Sequence, residues 1–132
     1  MTFSKRSLVK LGFIYRLAVV IILYSGNTDM RKGFDSLCGI ISSEMKENAL
    51  SGAVFIFFNK KHNQVKLLLW EGDGFAMYYK RLEQGTYEVP AADRDNTTLS
   101  ISSEQLQLIL QGISLRSVRR RKRYQHTTQS SG

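Results

Sequence analysis

The pattern of apolar and polar positions in residues 64–87 predicts a β-hairpin that leads into a further strand. Residues 65–70 and 75–82 are rich in β-branched, aromatic and aliphatic side chains, which favours strands. Gly-Asp-Gly separates the two runs at 72–74, and this is typical turn chemistry. Both faces of the hairpin carry large apolar side chains, so we expect this to be a central strand pair that is covered on both sides.

The turn composition also predicts a register for this hairpin. Asp-Gly is a preferred two-residue hairpin loop, so we place Asp73 and Gly74 at its tip. The strand residues that then face each other are Trp70 and Met77, Leu69 and Tyr78, Leu68 and Tyr79, Lys66 and Arg81, and Val65 and Leu82.

The remaining apolar runs predict the rest of the fold. Strands are expected near 18–24, 53–58, 64–71, 75–82 and 86–89. Residues 91–98 are polar and irregular and predict a surface loop. Two helices are expected, from about residue 28 and from about residue 103. The predicted fold class is α+β, with an antiparallel meander of about four to five strands packed by two helices.

Both predicted helices carry apolar stripes at helical spacing. The stripe of the first helix is Met30, Phe34, Leu37, Cys38, Ile41 and Met45. Its predicted N-cap is Thr28 or Asp29, and Cys38 is expected to be an inert core residue. In the second helix, Ser102 and Gln105 match a capping box.

Charge divides the chain into three parts. The net charge is +8, and residues 1–25 and 116–132 are basic, whereas residues 26–115 carry 9 basic and 11 acidic side chains. The 42% of hydrophobic residues is enough for one modest core. We expect an unassigned extension over 1–16, one α+β domain over 17–115, and a flexible Arg-rich tail over 116–132.

The N-terminal apolar run is expected to be a strand and not a membrane segment. A spanning helix needs about 20 apolar residues, and Arg16 interrupts this run. No small-residue cleavage site follows it, which argues against a signal peptide. The single cysteine fits a reducing cytosolic compartment.

Catalytic and metal chemistry find little support in the residues. His62 and His126 lie in a turn and in the tail without a partner at ligand spacing. Glu71 and Asp73 resemble the carboxylates of a metal-dependent nuclease, but a strand end and a turn explain them better. No phosphate loop or nucleophile elbow is present. We therefore predict no catalytic residues, no metal and no cofactor.

Basic side chains predict contacts with phosphate at two places. The first is the predicted sheet surface, and the second is the tail, where consecutive cations precede Tyr124. The predicted DNA-binding residues are Lys60, Lys61, Lys66, Lys80, Arg81, Arg116, Arg119, Arg120, Arg121, Lys122 and Arg123. The alternative is that the strand cations are scattered solubilising charges and that the tail has no binding role.

Four segments resemble a known family of bacterial proteins. They are YSGNTDMRKGFDSLCGII (24–41), SGAVFIFFNKKHNQVKLLLWEGDGFAMYYKRLEQGTYEVP (51–90), SSEQLQLILQGISL (102–115) and RKRYQ (121–125). Together they resemble TnpB, the accessory protein encoded by the insertion sequence 66 family of transposons. This family is distinct from the RNA-guided nuclease of the same name.

The resemblance implies a helper in DNA transposition, encoded beside a larger transposase that carries the catalytic acids. Matching positions of interest are Asp29, Arg31, Lys32, Trp70, Asp73, Gly74, Lys80, Arg81 and Arg119 to Arg123. We expect a non-enzymatic factor of the bacterial cytoplasm that binds transposon-end DNA, the transposase or both, and that joins the nucleoid when it is bound to DNA. The alternatives are a module that docks on the transposase without touching DNA, and a nuclease using Glu71 and Asp73.

Overall fold

The computed structural model describes residues 20–111 of the chain. The predicted extension over 1–16 and the predicted tail over 116–132 lie outside this range. The elements, in chain order, are β1 (Ile21–Asn27), α1 (Phe34–Ser43), β2 (Val54–Phe58), β3 (Gln64–Trp70), β4 (Phe75–Arg81), β5 (Thr98–Ile101) and α2 (Ser103–Leu110).

The strands form one sheet in the order β4-β3-β2-β1-β5. β1 runs parallel to β2, while every other neighbouring pair is antiparallel. The parallel pair arises because the chain crosses over through α1 before it re-enters the sheet. The predicted α+β class is confirmed, and the sheet is mixed instead of wholly antiparallel.

The β3–β4 hairpin has a longer turn than the predicted two-residue loop. Trp70 pairs with Phe75, and the Glu71 N–H donates to the Gly74 carbonyl at 2.8 Å. The predicted register is therefore wrong by two residues. A shift of two keeps each side chain on its predicted face but changes its neighbour. Lys66 consequently lies opposite Tyr79 instead of Arg81.

The predicted strand at 86–89 is wrong, and the sheet is completed by β5 instead. β5 pairs with β1, with Leu99 beside Leu23. Residues 86–89 cross one face of the sheet without joining a ladder. Tyr87 is 2% exposed in that segment, and its N–H donates to the His62 carbonyl at 2.7 Å.

Apolar side chains cover both faces of the sheet, as the two-sided hairpin pattern predicts, but the prediction that both hairpin strands are central is wrong, because β4 is an edge strand. The α1 face is built around Ile22, Leu37, Ile41, Met45, Phe55, Phe57 and Leu68. The α2 face is built around Ile21, Leu23, Val54, Ile56, Phe58, Val65, Leu67, Tyr87, Leu106 and Ile109.

The predicted start of the second helix is confirmed, whereas the predicted start of the first helix is wrong. The capping box of Ser102 and Gln105 is confirmed at the start of α2. α1 begins at Phe34 with Gly33 as its N-cap, because residues 29–32 form a separate turn. Cys38 lies half-buried on α1, where burial raises the pKa of its thiol. Among residues 20–111, no helix is long and apolar enough to cross a membrane.

Candidate functional site

One end of the sheet gathers cations from three separate segments of the chain. The pairings Asn27 with Phe58, Phe58 with Val65, and Gln64 with Arg81 bring the ends of β1, β2 and β4 together with the start of β3. The two connections at this end carry Arg31 and Lys32, and Lys60 and Lys61, while the last two residues of β4 are Lys80 and Arg81. We refer to these six residues as the cationic end.

The loop after β1 is organised by Asp29. Its carboxylate accepts the backbone N–H of Arg31 at 2.9 Å and binds the Arg31 guanidinium, with Nη2 to Oδ2 at 2.6 Å. These hydrogen bonds from Arg31 lower the pKa of Asp29 to about 2. The Arg31 side chain is 92% exposed, and a guanidinium has five N–H donors. Arg31 therefore keeps donors that point away from Asp29.

Lys66, on β3, binds the backbone of the same loop. Its Nζ donates to the carbonyl oxygens of Met30 and Lys32, both at 2.7 Å, and lies 4.7 Å from the centre of the Tyr79 ring. Lys66 is only 6% exposed, and this burial lowers the pKa of its ammonium, while the charge of Asp29 opposes that shift. The placement of Lys66 on a phosphate-contacting surface is corrected here, because its donors are taken up inside the fold.

The β2–β3 turn presents Lys60 and Lys61 from a braced frame. The Asn59 side-chain oxygen accepts the N–H groups of Asn63 and Gln64, at 3.0 and 2.9 Å. The Asn59 amide also donates to the Asn63 side chain at 2.7 Å. Both lysines are exposed and form no ion pair with any residue of the described range.

A groove of about 570 Å³ opens between this turn and the loop after β1. Its lining residues are Asn27, Thr28, Asp29, Met30, Arg31, Asn59, Lys60, Lys61, Gln64 and Tyr79. The Tyr79 hydroxyl donates to the side-chain oxygen of Gln64, which fixes the ring at the groove. The loop after β1 forms one wall of this groove, the β2–β3 turn forms the other, and the Tyr79 ring lies between them. We call this feature the Tyr79 groove.

The other cations of the cationic end lie on β4. Lys80 is exposed, and Arg81 is opposite Gln64 at the edge of the sheet. The Arg81 guanidinium approaches the Glu83 carboxylate at 3.4 Å. The predicted tail cations, Arg116, Arg119, Arg120, Arg121, Lys122 and Arg123, lie outside the described residues.

The acidic pair considered for nuclease chemistry lies at the opposite end of the hairpin. Asp73 is exposed in the β3–β4 turn, while one oxygen of the Glu71 carboxylate is buried and has no hydrogen-bond partner among residues 20–111. In the part of the chain from 20 to 111, no cluster of three or more His, Cys, Asp or Glu side chains is arranged to hold a metal ion. Trp70 also lies at this end, with its ring 4.9 Å from that of Phe75.

Comparison with known proteins decides the family. A family model described as "IS66 Orf2 like protein" matches residues 19–120. The chain belongs to the IS66 Orf2-like family. The resemblance seen in the sequence is therefore confirmed. The family suggests an accessory role in transposition, and it is not a known class of enzyme. The match includes both walls of the Tyr79 groove.

Two relatives of this IS66 Orf2-like chain come from Sinorhizobium fredii. The uncharacterized protein y4hO is 35% identical over 92 residues, which cover 70% of this chain and 78% of y4hO. The uncharacterized protein y4jC is 26% identical over 93 residues, again 70% of this chain and 78% of the relative. No solved structure matches.

The structure brings together only part of the predicted site. Asp29, Arg31, Lys60 and Lys61 line one groove, whereas the motif positions Trp70, Asp73 and Gly74 lie at the other end of the hairpin. Tyr79, Gln64 and Asn59 also belong to this site, although the sequence pattern does not predict them as site residues. Asn59 and Asn63, spaced across a polar turn, are a signal for a braced turn, but the position of Tyr79 depends on the strand register.

Proposed function

We propose that this IS66 Orf2-like chain is a non-enzymatic accessory factor that binds the DNA of its element during transposition. The observation that supports this most is the cationic end, where six cations from three segments gather at one end of the sheet. The acidic turn lies at the other end. Such a separation of charge gives one surface a favourable interaction with phosphate.

The cations available for this role are the unpaired ones. Lys32, Lys60, Lys61 and Lys80 form no ion pair within residues 20–111, so binding phosphate does not require an existing pair to break. Arg31 is paired with Asp29 and Arg81 with Glu83, so these two arginines contribute less net positive charge to the cationic end. The tail cations predicted from the sequence add to this surface in the proposal, in a bacterial cytoplasmic protein that joins the nucleoid when it binds DNA.

A gel-shift titration of the full-length protein on transposon-end DNA, over a series of salt concentrations, tests the proposal. We expect binding that weakens steeply with salt, since each phosphate contact releases about one counterion. Changing Lys60, Lys61 and Lys80 to Gln should reduce the salt slope, and so should removal of residues 116–132. Absence of binding at low salt, or binding indifferent to salt and to both changes, would overturn the DNA role.

A second candidate is a module that docks on the transposase without contacting DNA. It is favoured by β4, an edge strand of the sheet, which carries the half-buried Phe75 and Met77 beside Trp70. An edge strand offers unpaired backbone groups to a partner. Co-purification of the two proteins after nuclease treatment, lost when Met77 is changed to Lys, would support it. Purification of the two proteins apart under these conditions would exclude it.

A further inference from the structure

We infer that the Tyr79 groove binds one nucleotide of a single-stranded nucleic acid, with phosphate beside Lys60 and Lys61 and the base stacked on Tyr79. This inference rests on the proposed function and narrows it. The cationic end explains an attraction to any nucleic acid, whereas the groove adds a preference for a strand whose bases are unpaired.

The size and charge of the groove fit this ligand. A volume of about 570 Å³ lies within the range of roughly 300–1,000 Å³ typical of small-ligand sites. It therefore suits a single nucleotide unit, whereas a base in a duplex is stacked between its neighbours and has no free face to offer. Three cations and one carboxylate line the groove. The carboxylate, Asp29, is occupied by Arg31, so the walls present positive charge to a phosphate.

The aromatic ring gives the groove its selectivity. Single-strand binding proteins combine a cationic track with aromatic rings on which bases stack. Tyr79 is half-buried and lines the groove. Its orientation is fixed by the hydrogen bond to Gln64 and by the Lys66 ammonium, which lies over one face of the ring, so we place the base on the opposite face. A ring held in this way loses little conformational entropy when a base stacks on it.

The backbone of the β2–β3 turn, which carries Lys60 and Lys61, is also held in place without a ligand. Asn59 closes the turn with three side-chain hydrogen bonds. From behind, the N–H groups of Leu82 and Tyr87 donate to the carbonyls of Asn63 and His62, at 2.8 and 2.7 Å. The spacing between Lys60, Lys61 and Tyr79 is thus a property of the folded chain.

Fluorescence anisotropy with the full-length protein tests the inference without relying on any variant. The probes are an oligothymidine strand, an abasic strand of the same length, a duplex of the same length and an oligouridine strand, all at one salt concentration. We expect the oligothymidine strand to bind more tightly than the abasic strand by about 5- to 150-fold, the range for stacking of one base. Comparison of oligothymidine with oligouridine distinguishes DNA from RNA as the source of the strand.

Variants then locate the effect. Tyr79→Leu should remove the advantage of the oligothymidine strand over the abasic strand, while Tyr79→Phe keeps the ring and should retain it. Lys60→Gln with Lys61→Gln should lower the salt slope by about 0.7 for each lysine. The matched control for the lysine pair changes two exposed cations outside the groove, Lys46 and Arg94, to Gln, and should leave the salt slope unchanged.

The outcomes separate this inference from the proposed function. Equal binding of the oligothymidine and abasic strands would overturn the groove inference, and salt-dependent binding of the duplex would leave the DNA role standing. Failure of every probe to bind at low salt would overturn both. An oligothymidine advantage that survives in Tyr79→Leu would also overturn the inference, because stacking on this ring is expected to supply it.

Discussion

The two ends of the β3–β4 hairpin differ in how they are closed. At the turn end, Trp70 and Phe75 pair directly and their rings meet edge to face. At the open end, Gln64 and Arg81 pair at the mouth of a polar groove. The same two strands therefore give a closed end held by backbone and rings, and an open end where side-chain hydrogen bonds of Asn59 and Tyr79 add to the backbone hydrogen bonds.

Two lysines near the open end show that a charged residue on a strand can serve either the framework or the surface. Lys66 and Lys80 are both lysines of this hairpin, but Lys66 is 6% exposed and donates to two carbonyls, whereas Lys80 is exposed. A buried charge is retained only where its hydrogen bonds are satisfied. Lys66 is therefore part of the framework that holds the groove, whereas Lys80 is an exposed cation outside the groove.

The largest expected effect comes from Lys66→Met. The substitution removes the donor from the buried carbonyl of Met30 and from the partly buried carbonyl of Lys32, and an unsatisfied buried group costs about 1–3 kcal/mol. We expect the free energy of unfolding to fall by about 2–4 kcal/mol, measured by chemical denaturation. The matched control, Lys80→Met, should change it by no more than about 0.5 kcal/mol. Equal effects of the two substitutions would contradict the framework role of Lys66.

The next effect lies at the turn end. Gly72 has φ +95°, which favours glycine, so Gly72→Ala should lower the free energy of unfolding by about 1–2 kcal/mol. Gly74 lies outside the positive-φ region, and a Cβ there meets no atom within 4 Å. Gly74→Ala should therefore be near neutral, and neither change should alter binding of nucleic acid. Thermal unfolding and anisotropy measure the two quantities, and a larger loss in Gly74→Ala would refute this account of the turn.

The contrast between these glycines shows how far local sequence leads. The apolar runs predict β2, β3 and β4 well, because strand composition is a local property. The turn was predicted to depend on Asp73 and Gly74, yet the structure uses Gly72 as the positive-φ residue in a longer connection. Two loop lengths were compatible with one Gly-Asp-Gly segment, and packing of Trp70 on Phe75 accompanies the longer one.

The candidate site was less predictable than the fold because it depends on long-range pairing. Arg31 and Lys61 were noted as cations, but their meeting at one groove follows from the parallel pairing of β1 with β2. The predicted start of the first helix is wrong because the Asp29 carboxylate accepts the N–H of Arg31 in the loop before α1, whereas α1 itself begins after Gly33. β5 was missed because four residues with partly polar character give a weak strand signal.

A smaller effect is expected from Tyr87→Phe, behind the open end. The Tyr87 hydroxyl is buried and has no hydrogen-bond partner among the described residues, so its removal should raise the free energy of unfolding by about 1 kcal/mol at neutral pH. Burial, with a smaller contribution from Tyr78, raises the pKa of Tyr87 to about 12 from 10.0.

The raised pKa also predicts the pH dependence of that difference. Between pH 10.0 and about 12 the unfolded chain loses the Tyr87 proton while the folded chain keeps it, so stability falls as the pH rises through this window. Tyr87→Phe should remove that part of the alkaline loss. Denaturation of both proteins over a series of alkaline pH values measures it, and parallel curves for the two proteins would contradict the assignment.

The smallest expected effect on stability is at Asp29, where the pKa itself is the sharper observable. A carboxyl pKa lowered from 3.8 to about 2 means that its stabilising contribution is present above 3.8 and is lost as the pH falls toward 2. Titration of the Asp29 carboxyl followed by NMR should show the low value directly. Arg31→Gln should return it toward 3.8, because the hydrogen bonds from the guanidinium are the first cause of the shift. Arg81→Gln, which removes a cation from the same end of the sheet without touching the loop, should leave the titration unchanged. A normal pKa in the unmodified protein would mean that Arg31 is not held by Asp29, and the wall of the groove would then lose its fixed geometry on that side.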